Sequence, residues 1–359
     1  MKLMQHLFLG CAFAALSSAT PGELEFEYVG KAVETKDTHV WGSSPVMGPD
    51  GKVHLYVAQW PIATRPNFDG WFKDCEIAHY VGDQPEGPFT FVRVAVRDQD
   101  GTFNSPHNPT IQHVDGKYVL CFIVNEVTQR SEWTKDGDLK TQRIIMYVAD
   151  DLDDDWKPAA GAEPDGTILR KSAEPTDWNH DAKLGVSNPS LIKYNGKYML
   201  YIKSVIPNGG GYTYGVAVSD ALEGPYKTHP KKVTSKGIED AYAFTMDNTV
   251  YLLSRNFGHA KGGSHGGGLL WKSGDGFWFP PEDVELSFEP LAHYIGTAAL
   301  KNGTKYRPPA KVKDYSGRLE RPQILMEDGK PAYVYMATGI STREGYGSCS
   351  HVFRIKTAK

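Results

Sequence analysis

Apolar and polar residues alternate along this chain in short runs, and the runs recur. Tyr118-Val119-Leu120-Cys121-Phe122-Ile123 and Tyr198-Met199-Leu200-Tyr201-Ile202 have the aromatic and β-branched character of strands. Each follows a Gly-Lys that closes an Asp-Gly or Asn-Gly turn, the favoured signal for a two-residue hairpin. Ahead of the turn stands another apolar run, opened by a polar residue and a Pro or Ala. The pattern occurs five times: Ser44-Pro45 before Asp50-Gly51, Asn108-Pro109 before Asp115-Gly116, Asn188-Pro189 before Asn195-Gly196, Asp240-Ala241 before Asp247-Asn248, and Arg321-Pro322 before Asp328-Gly329. A third strand follows in several copies, as in Ile77–Val81, Ile144–Ala149, Tyr214–Ser219 and Gly268–Ser273.

Repeats of this size predict a solenoid or a propeller. Three strands with a degenerate fourth make a propeller blade. The steps between Pro/Ala positions are 64, 80, 52 and 81 residues, which suits blades with long insertions better than a strict solenoid. The expected fold is therefore all-β, a five-bladed β-propeller in a single domain. Leu24–Val29 and His351–Ile355 are both strand-like and are expected to close the ring, in one blade or in neighbouring ones. No amphipathic helix of ordinary length appears. Residues 150–186 read as a long surface loop, and Gly258–Gly268 as a glycine-rich loop near the pocket, without the strand–turn–helix setting of a phosphate loop.

Composition refines this picture at few points. The 359 residues carry a net charge of −4, with no basic field for a nucleic-acid backbone. Aromatic residues reach 12%, which suits strands and also supplies flat faces for sugars. Lys2, the apolar run Leu7–Leu16 and Ser17-Ser18-Ala19 predict a signal peptide over residues 1–19, leaving 20–359 as the propeller. The expected location is periplasmic or extracellular. Export would permit one disulfide among Cys75, Cys121 and Cys349, with Cys121 reading as packing. No Cys-x-x-Cys zinc pair exists, and no later stretch is long and apolar enough to cross a membrane.

In a propeller the innermost strands begin around one end of the central channel, so their first residues converge. These are Trp41, Ser43 and Ser44; His107 and Asn108; Ser187 and Asn188; Glu239 and Asp240; Glu320 and Arg321. Glycoside hydrolysis uses two carboxyl groups, and Glu239, Asp240 and Glu320 are the acids best placed. Adjacent strand residues face opposite ways, so only one of Glu239 and Asp240 should face the channel unless the strand bulges. Lys203 and Arg255 are charged residues in strand interiors, costly there if unpaired, and near the pocket wall if the repeats are in register. They either hold an anionic sugar group or balance the acids. His107, His180, His259 and His265 lie in polar contexts, and Trp41, Trp60 and Trp178 are either sugar platforms or packing. The substrate contacts expected from this layout are Trp41, Ser44, His107, Asn108, Asn188, Lys203, Arg255, His265 and Arg321. Serine-esterase, zincin and dinucleotide motifs are absent.

The hairpins and the Glu-Gly-Pro-aromatic endings (Glu86–Phe89, Glu223–Tyr226) resemble those of the five-bladed glycoside hydrolases, the group of families 43, 32, 62, 68 and 117. The resemblance spans about residues 37–340. It implies an acid at the head of the fourth blade as proton donor, which points to Glu239 and next to Asp240. It also implies an Asp at the head of the first blade as base and a second-blade Asp that tunes the acid. Here those places read as Ser44 and Asn108, which marks a divergent branch, with Asp37, Asp177, Asp181 and Glu320 as substitutes. No cofactor is required; some relatives hold a structural calcium ion in the channel. The expected function is an exported, exo-acting glycosidase on plant or algal oligosaccharides. The alternatives are a non-catalytic glycan-binding propeller and a polysaccharide lyase on the same scaffold.

Overall fold

A computed structural model of the protein describes residues 23–66, 68–99, 102–126, 139–207, 211–256, 266–301, 317–339 and 347–357. The leader call on residues 1–19 and the loop histidines His259 and His265 lie outside them. Strand β1 (Leu24–Val33) is set aside by the chain and used last. Blade I follows as β2 (Thr38–Met47), β3 (Val53–Pro61), β4 (Glu76–Gly82) and β5 (Thr90–Val96). Blade II is β6 (Asn104–Val114), β7 (Lys117–Asn125) and β8 (Arg143–Ala149), with β9 (Lys157–Pro158) and β10 (Thr167–Leu169) both pairing β8. Blade III is β11 (Ser187–Tyr194), β12 (Lys197–Ile206), β13 (Gly211–Ser219) and β14 (Lys227–Thr228). Blade IV is β15 (Glu239–Met246), β16 (Thr249–Arg255), β17 (Gly268–Ser273) and β18 (Glu285–Leu286). Blade V is β19 (Glu320–Glu327), β20 (Lys330–Thr338) and β21 (Cys349–Thr357), and β1 returns to pair antiparallel with β21. The two ends of the chain thus complete one blade and close the ring.

Local chemistry explains the hairpins. Asp115-Gly116, Asn195-Gly196, Asp247-Asn248 and Asp328-Gly329 all take positive φ at both turn positions, as a type I′ turn requires. Blade I differs. Only Gly51 turns left-handed there, and the connection from Met47 to Val53 is a longer loop. The 150–186 stretch is also less irregular than expected, because it supplies β9 and β10 to blade II.

The hydrophobic core lies between blades. Five clusters fill the five interfaces, for example Leu191, Leu200 and Ile202 against Val119, Ile144 and Met146 between blades II and III. Each fully buried aliphatic side chain contributes about 1.5–3 kcal/mol. Because these wedges carry the apolar burial, the axis itself is free for polar groups. Cys75, Cys121 and Cys349 are all buried free thiols, so the permitted disulfide is not formed. Burial pushes the Cys121 thiol up to about 12, in keeping with a packing role. No helix among the described residues is long and apolar enough to cross a membrane.

Candidate active site

The five inner strands β2, β6, β11, β15 and β19 neighbour one another in a ring. Each carries the same irregularity near its head. The register shifts between Trp41 and Ser44, His107 and Thr110, Ser187 and Ser190, Glu239 and Tyr242, and Glu320 and Gln323. Two residues oppose one at each shift, which is a β-bulge. The first bulged residue is left-handed in all five: Gly42 (φ 59°), Asn108 (50°), Asn188 (51°), Asp240 (56°) and Arg321 (55°). Gly and Asn/Asp tolerate this backbone, whereas an Arg there is strained.

This register corrects the reading of blade I. Gly42, and not Ser44, is the equivalent of Asn108, Asn188, Asp240 and Arg321. Ser44 lies two residues deeper, where it has a different task. Its Oγ accepts from Ile111 N–H of blade II (3.0 Å) and donates to Gln323 Oε1 of blade V (3.1 Å). Residues at the same register position repeat this pattern. Thr110 Oγ1 donates to the Pro189 carbonyl, Ser190 Oγ accepts from Ala243 N–H, and the Tyr242 hydroxyl donates to the Ile324 carbonyl. The five residues form a closed belt that ties every blade to the next. Ser44 is therefore a structural tie; its hydroxyl is spent on this belt.

Above the belt the bulge lets both acids of β15 reach the hub, so the alternation expected of a regular strand does not hold there. Glu239 Oε2 accepts from Arg255 Nη1 at 2.8 Å, and its Oε1 lies 3.6 Å from Lys203 Nζ. Glu320 Oε1 lies 2.9 Å from the same Arg255 nitrogen and 3.9 Å from Arg318. Two oxygens at 2.8 and 2.9 Å from one nitrogen are at most about 5.7 Å apart. Asp240 Oδ1 accepts from Asn188 Nδ2 (2.7 Å), and Asn188 Oδ1 accepts from Asn108 Nδ2 (2.9 Å), a relay across three blades.

Electrostatics divides these groups. Burial raises Glu239, Lys203 and Arg255 pull it down, and Asp240 and Glu320 push it up; the net is a carboxyl near 7. Burial works against the charge of Arg255, but Glu320, Glu239 and Asp240 together hold its pKa above the usual value. Arg321 is fully buried, and burial lowers its pKa against the opposing pull of Asp240. Its Nη2 reaches the Asn108 carbonyl at 3.4 Å, while Nε and Nη1 have no hydrogen-bond partner among the described residues.

Other expected contacts are not brought into the pocket. His107 is fully buried: Nδ1 donates to the Ser105 carbonyl (2.7 Å), Nε2 faces Gln142 Nε2 (3.3 Å), and the ring packs edge-on to Trp71. Burial pulls it down to about 4, so it is neutral and positions the wall. Trp41 and Trp60 pack with Ala58, Cys75 and Ala337 in a buried cluster and present no platform. His180 sits at the surface against Asp181. Of the substitute acids, Asp37 is exposed in the bend before β2, Asp177 accepts from Ser172 Oγ and Asp181 is taken by His180; Glu320 is the one of the four that reaches Arg255 and the hub acids. Tyr212 was missed: it is partly exposed at the rim, with Lys203 Nζ 4.8 Å from its ring centroid. Tyr214 was missed too; it is buried, and its hydroxyl accepts from Ala241 N–H. Both sit opposite Lys203 and Val205 in the β12–β13 register, a signal visible only once strands are paired. Among the described residues no cluster of three or more His, Cys, Asp and Glu suits a metal. The hub carboxylates are engaged by Arg255, Lys203 and Asn188, a donor set that does not fit calcium.

No family model matches the sequence, and no curated protein matches it. Solved structures do. A family 117 glycoside hydrolase of the marine bacterium Zobellia galactanivorans is 16% identical, with 93% of this chain and 90% of that one covered and a TM-score of 0.61. A family 43 β-xylosidase/α-arabinofuranosidase from a compost metagenome is 15% identical over 93% and 98% of the two chains, TM-score 0.55. An α-L-arabinofuranosidase from Lactobacillus brevis is 11% identical over 90% and 92%, TM-score 0.56. The chain has the glycoside hydrolase propeller fold. In this propeller the hub carboxylates come from blades IV and V, with Lys203 of blade III beside them, and identities this low speak for the fold alone.

Proposed function

We propose that this propeller is an exported glycoside hydrolase acting on the ends of plant or algal oligosaccharides. The observation that carries the reading is the buried Glu239, held near 7 and joined to Glu320 through one Arg255 nitrogen. A general acid works best with a pKa near the operating pH. Glu239 gives its proton to the glycosidic oxygen as the bond to the anomeric carbon breaks. Glu320, beside Arg255 and Arg318, is the second carboxylate. With one oxygen of each carboxyl on the same guanidinium nitrogen, the pair fits the closer arrangement of a retaining enzyme, about 5–5.5 Å, better than the roughly 6.5–9.5 Å of an inverting one. In this reading Glu320 attacks the anomeric carbon, and Glu239 then takes a proton from the water that releases the sugar. Lys203, Arg321 and Asn188 orient the substrate and the acids. The leader-like residues 1–19 support export.

The test is turnover by Glu239→Gln and Glu320→Gln on a panel of aryl glycosides and oligosaccharides. Glu239→Gln should lose about 10²–10⁴-fold on poor leaving groups, and the alkaline limb near pH 7 should vanish with it. Glu320→Gln should be inactive, and the first product anomer should retain configuration. Wild-type turnover in both variants sinks the assignment.

A second reading is supported by the Gly42–Asn108–Asn188 side of the hub, which carries no acid. It is a glycan-binding propeller without catalysis. Calorimetric binding with no new reducing ends would favour it.

A further inference from the structure

A cavity of about 730 Å³ lies where the margin of blade III meets the β17–β18 loop of blade IV. Its walls are aromatic: Trp178 on one side, and Phe277 and Trp278 on the other, with His229 tilted against Phe277 at 4.9 Å between centroids. The site is built from the backbone up. Trp178 N–H donates to the Pro230 carbonyl. Its indole lies flat over Gly215, where a Cβ would meet Nε1 at 2.2 Å, so glycine is needed to seat it. Trp278 keeps 44% of its surface exposed, a free face on a short loop.

The charge of this rim is opposite to that of the chain. Between Glu223 and Glu239 the sequence has Lys227, Lys231, Lys232, Lys236 and His229 and no carboxylate, in a protein of net charge −4. Lys231 and Lys232 line the cavity, and neither has a carboxylate partner among the described residues. Aromatic faces with unpaired cations match a chain of acidic sugars, whose rings stack while their anionic groups meet ammonium ions.

The cavity and the hub share one strand. Strand β12 brings Lys203 to Glu239 and, three residues or about 10 Å further, Ile206 to the cavity wall. Tyr212, exposed on the neighbouring strand, stands opposite Val205, between these two positions in register.

We propose that this rim is a subsite for an acidic oligosaccharide, gripping the part of the chain that leaves the hub across blade III. The proposal rests on the reading of the protein as carbohydrate-active, but its test reads binding and does not depend on turnover. Retardation in gels containing polygalacturonate or κ-carrageenan, with neutral galactan as control, separates carboxylate from sulfate ligands. Wild-type protein should be retarded by one acidic polymer and not by galactan. Lys231→Glu/Lys232→Glu and Trp278→Ala should each weaken retardation at least tenfold, with unchanged melting temperatures. Glu239→Gln should bind like wild type, whether or not it turns over substrate. Retardation that survives both rim variants, is lost only in the lysine variant, or is absent for both acidic polymers overturns the proposal.

Discussion

Blades IV and V meet the hub with Glu239-Asp240 and Glu320-Arg321; blades I to III meet it with Trp41-Gly42, His107-Asn108 and Ser187-Asn188. The backbone of the heads is the same on both sides, each with one bulge that carries one left-handed residue. The chemistry is not. On one side, carboxylates and guanidinium groups share a largely buried site. On the other, the amides of Asn108 and Asn188 hydrogen-bond each other, and a neutral His107 is held by the Ser105 carbonyl and Gln142. Symmetry of scaffold therefore does not distribute function evenly. The belt two residues deeper fixes five equivalent heads, and which head carries charge is free to vary.

The largest expected effect comes from removing one charge on the ionised side. Asp240→Asn keeps the hydrogen bond from Asn188 but leaves the fully buried Arg321 without its main opposing charge. Breaking one partner of a buried ionic set costs about 3–5 kcal/mol, and chemical denaturation should show a loss of that order. The same change removes a charge that raises Glu239, so the alkaline limb of any pH–rate profile should move down. Asn188→Asp on the amide side should not reproduce the loss.

pH divides the two sides in the same sense. Glu239 is raised above its unfolded value, so the native state holds an extra proton between the two values. Its contribution is present at low pH and is lost as pH rises toward about 7. His107 is depressed to about 4, so its contribution is present above its unfolded value and lost as pH falls through that range. Replacing Glu239 by Gln should remove the first slope from a stability–pH curve and leave the second. A curve unchanged by that substitution would mean that Glu239 titrates normally.

A smaller effect is expected from the belt, which belongs to both sides. Ser44→Ala leaves Ile111 N–H buried without a partner and Gln323 without a donor. An unsatisfied buried group costs about 1–3 kcal/mol. Because Ser44 touches the tie and not the hub acids, melting temperature should fall with little change in kcat per folded molecule. A selective loss of kcat would return Ser44 to the substrate site.

The ring of blades was legible because its signals are local. Asp-Gly and Asn-Gly turns and alternating strands need no knowledge of distant residues, and both chain ends read as strand. The acids at Glu239, Asp240 and Glu320 were also legible, since register alone brings strand heads together. What failed was register within blade I. The Ser44-Pro45 pair copies the spelling of Asn108-Pro109 but falls after the bulge, because the longer loop from Met47 to Val53 shifts the count. The roles of Trp41 and His107 were hidden for another reason. Whether an aromatic or imidazole ring faces solvent depends on packing from Trp60, Trp71 and Gln142, which come from other parts of the chain.

Gly42 offers the finest test of the comparison, because it is the one head with no side chain. Its φ of 59° makes Gly42→Ala strained, at a cost of about 1 kcal/mol. Space is not the obstacle: a Cβ there would lie 3.4 Å from Arg321 Nε, ordinary contact. That nitrogen has no partner among the described residues. Gly42→Asp meets the same backbone strain, yet Asp tolerates the left-handed region better and its carboxylate falls beside Arg321. Gly42→Asp should therefore be more stable than Gly42→Ala, and the gap should close in Arg321→Met. Equal melting temperatures for the two glycine variants would show that the charge of Arg321 is not accessible from blade I, and that the two sides of the hub are insulated from each other.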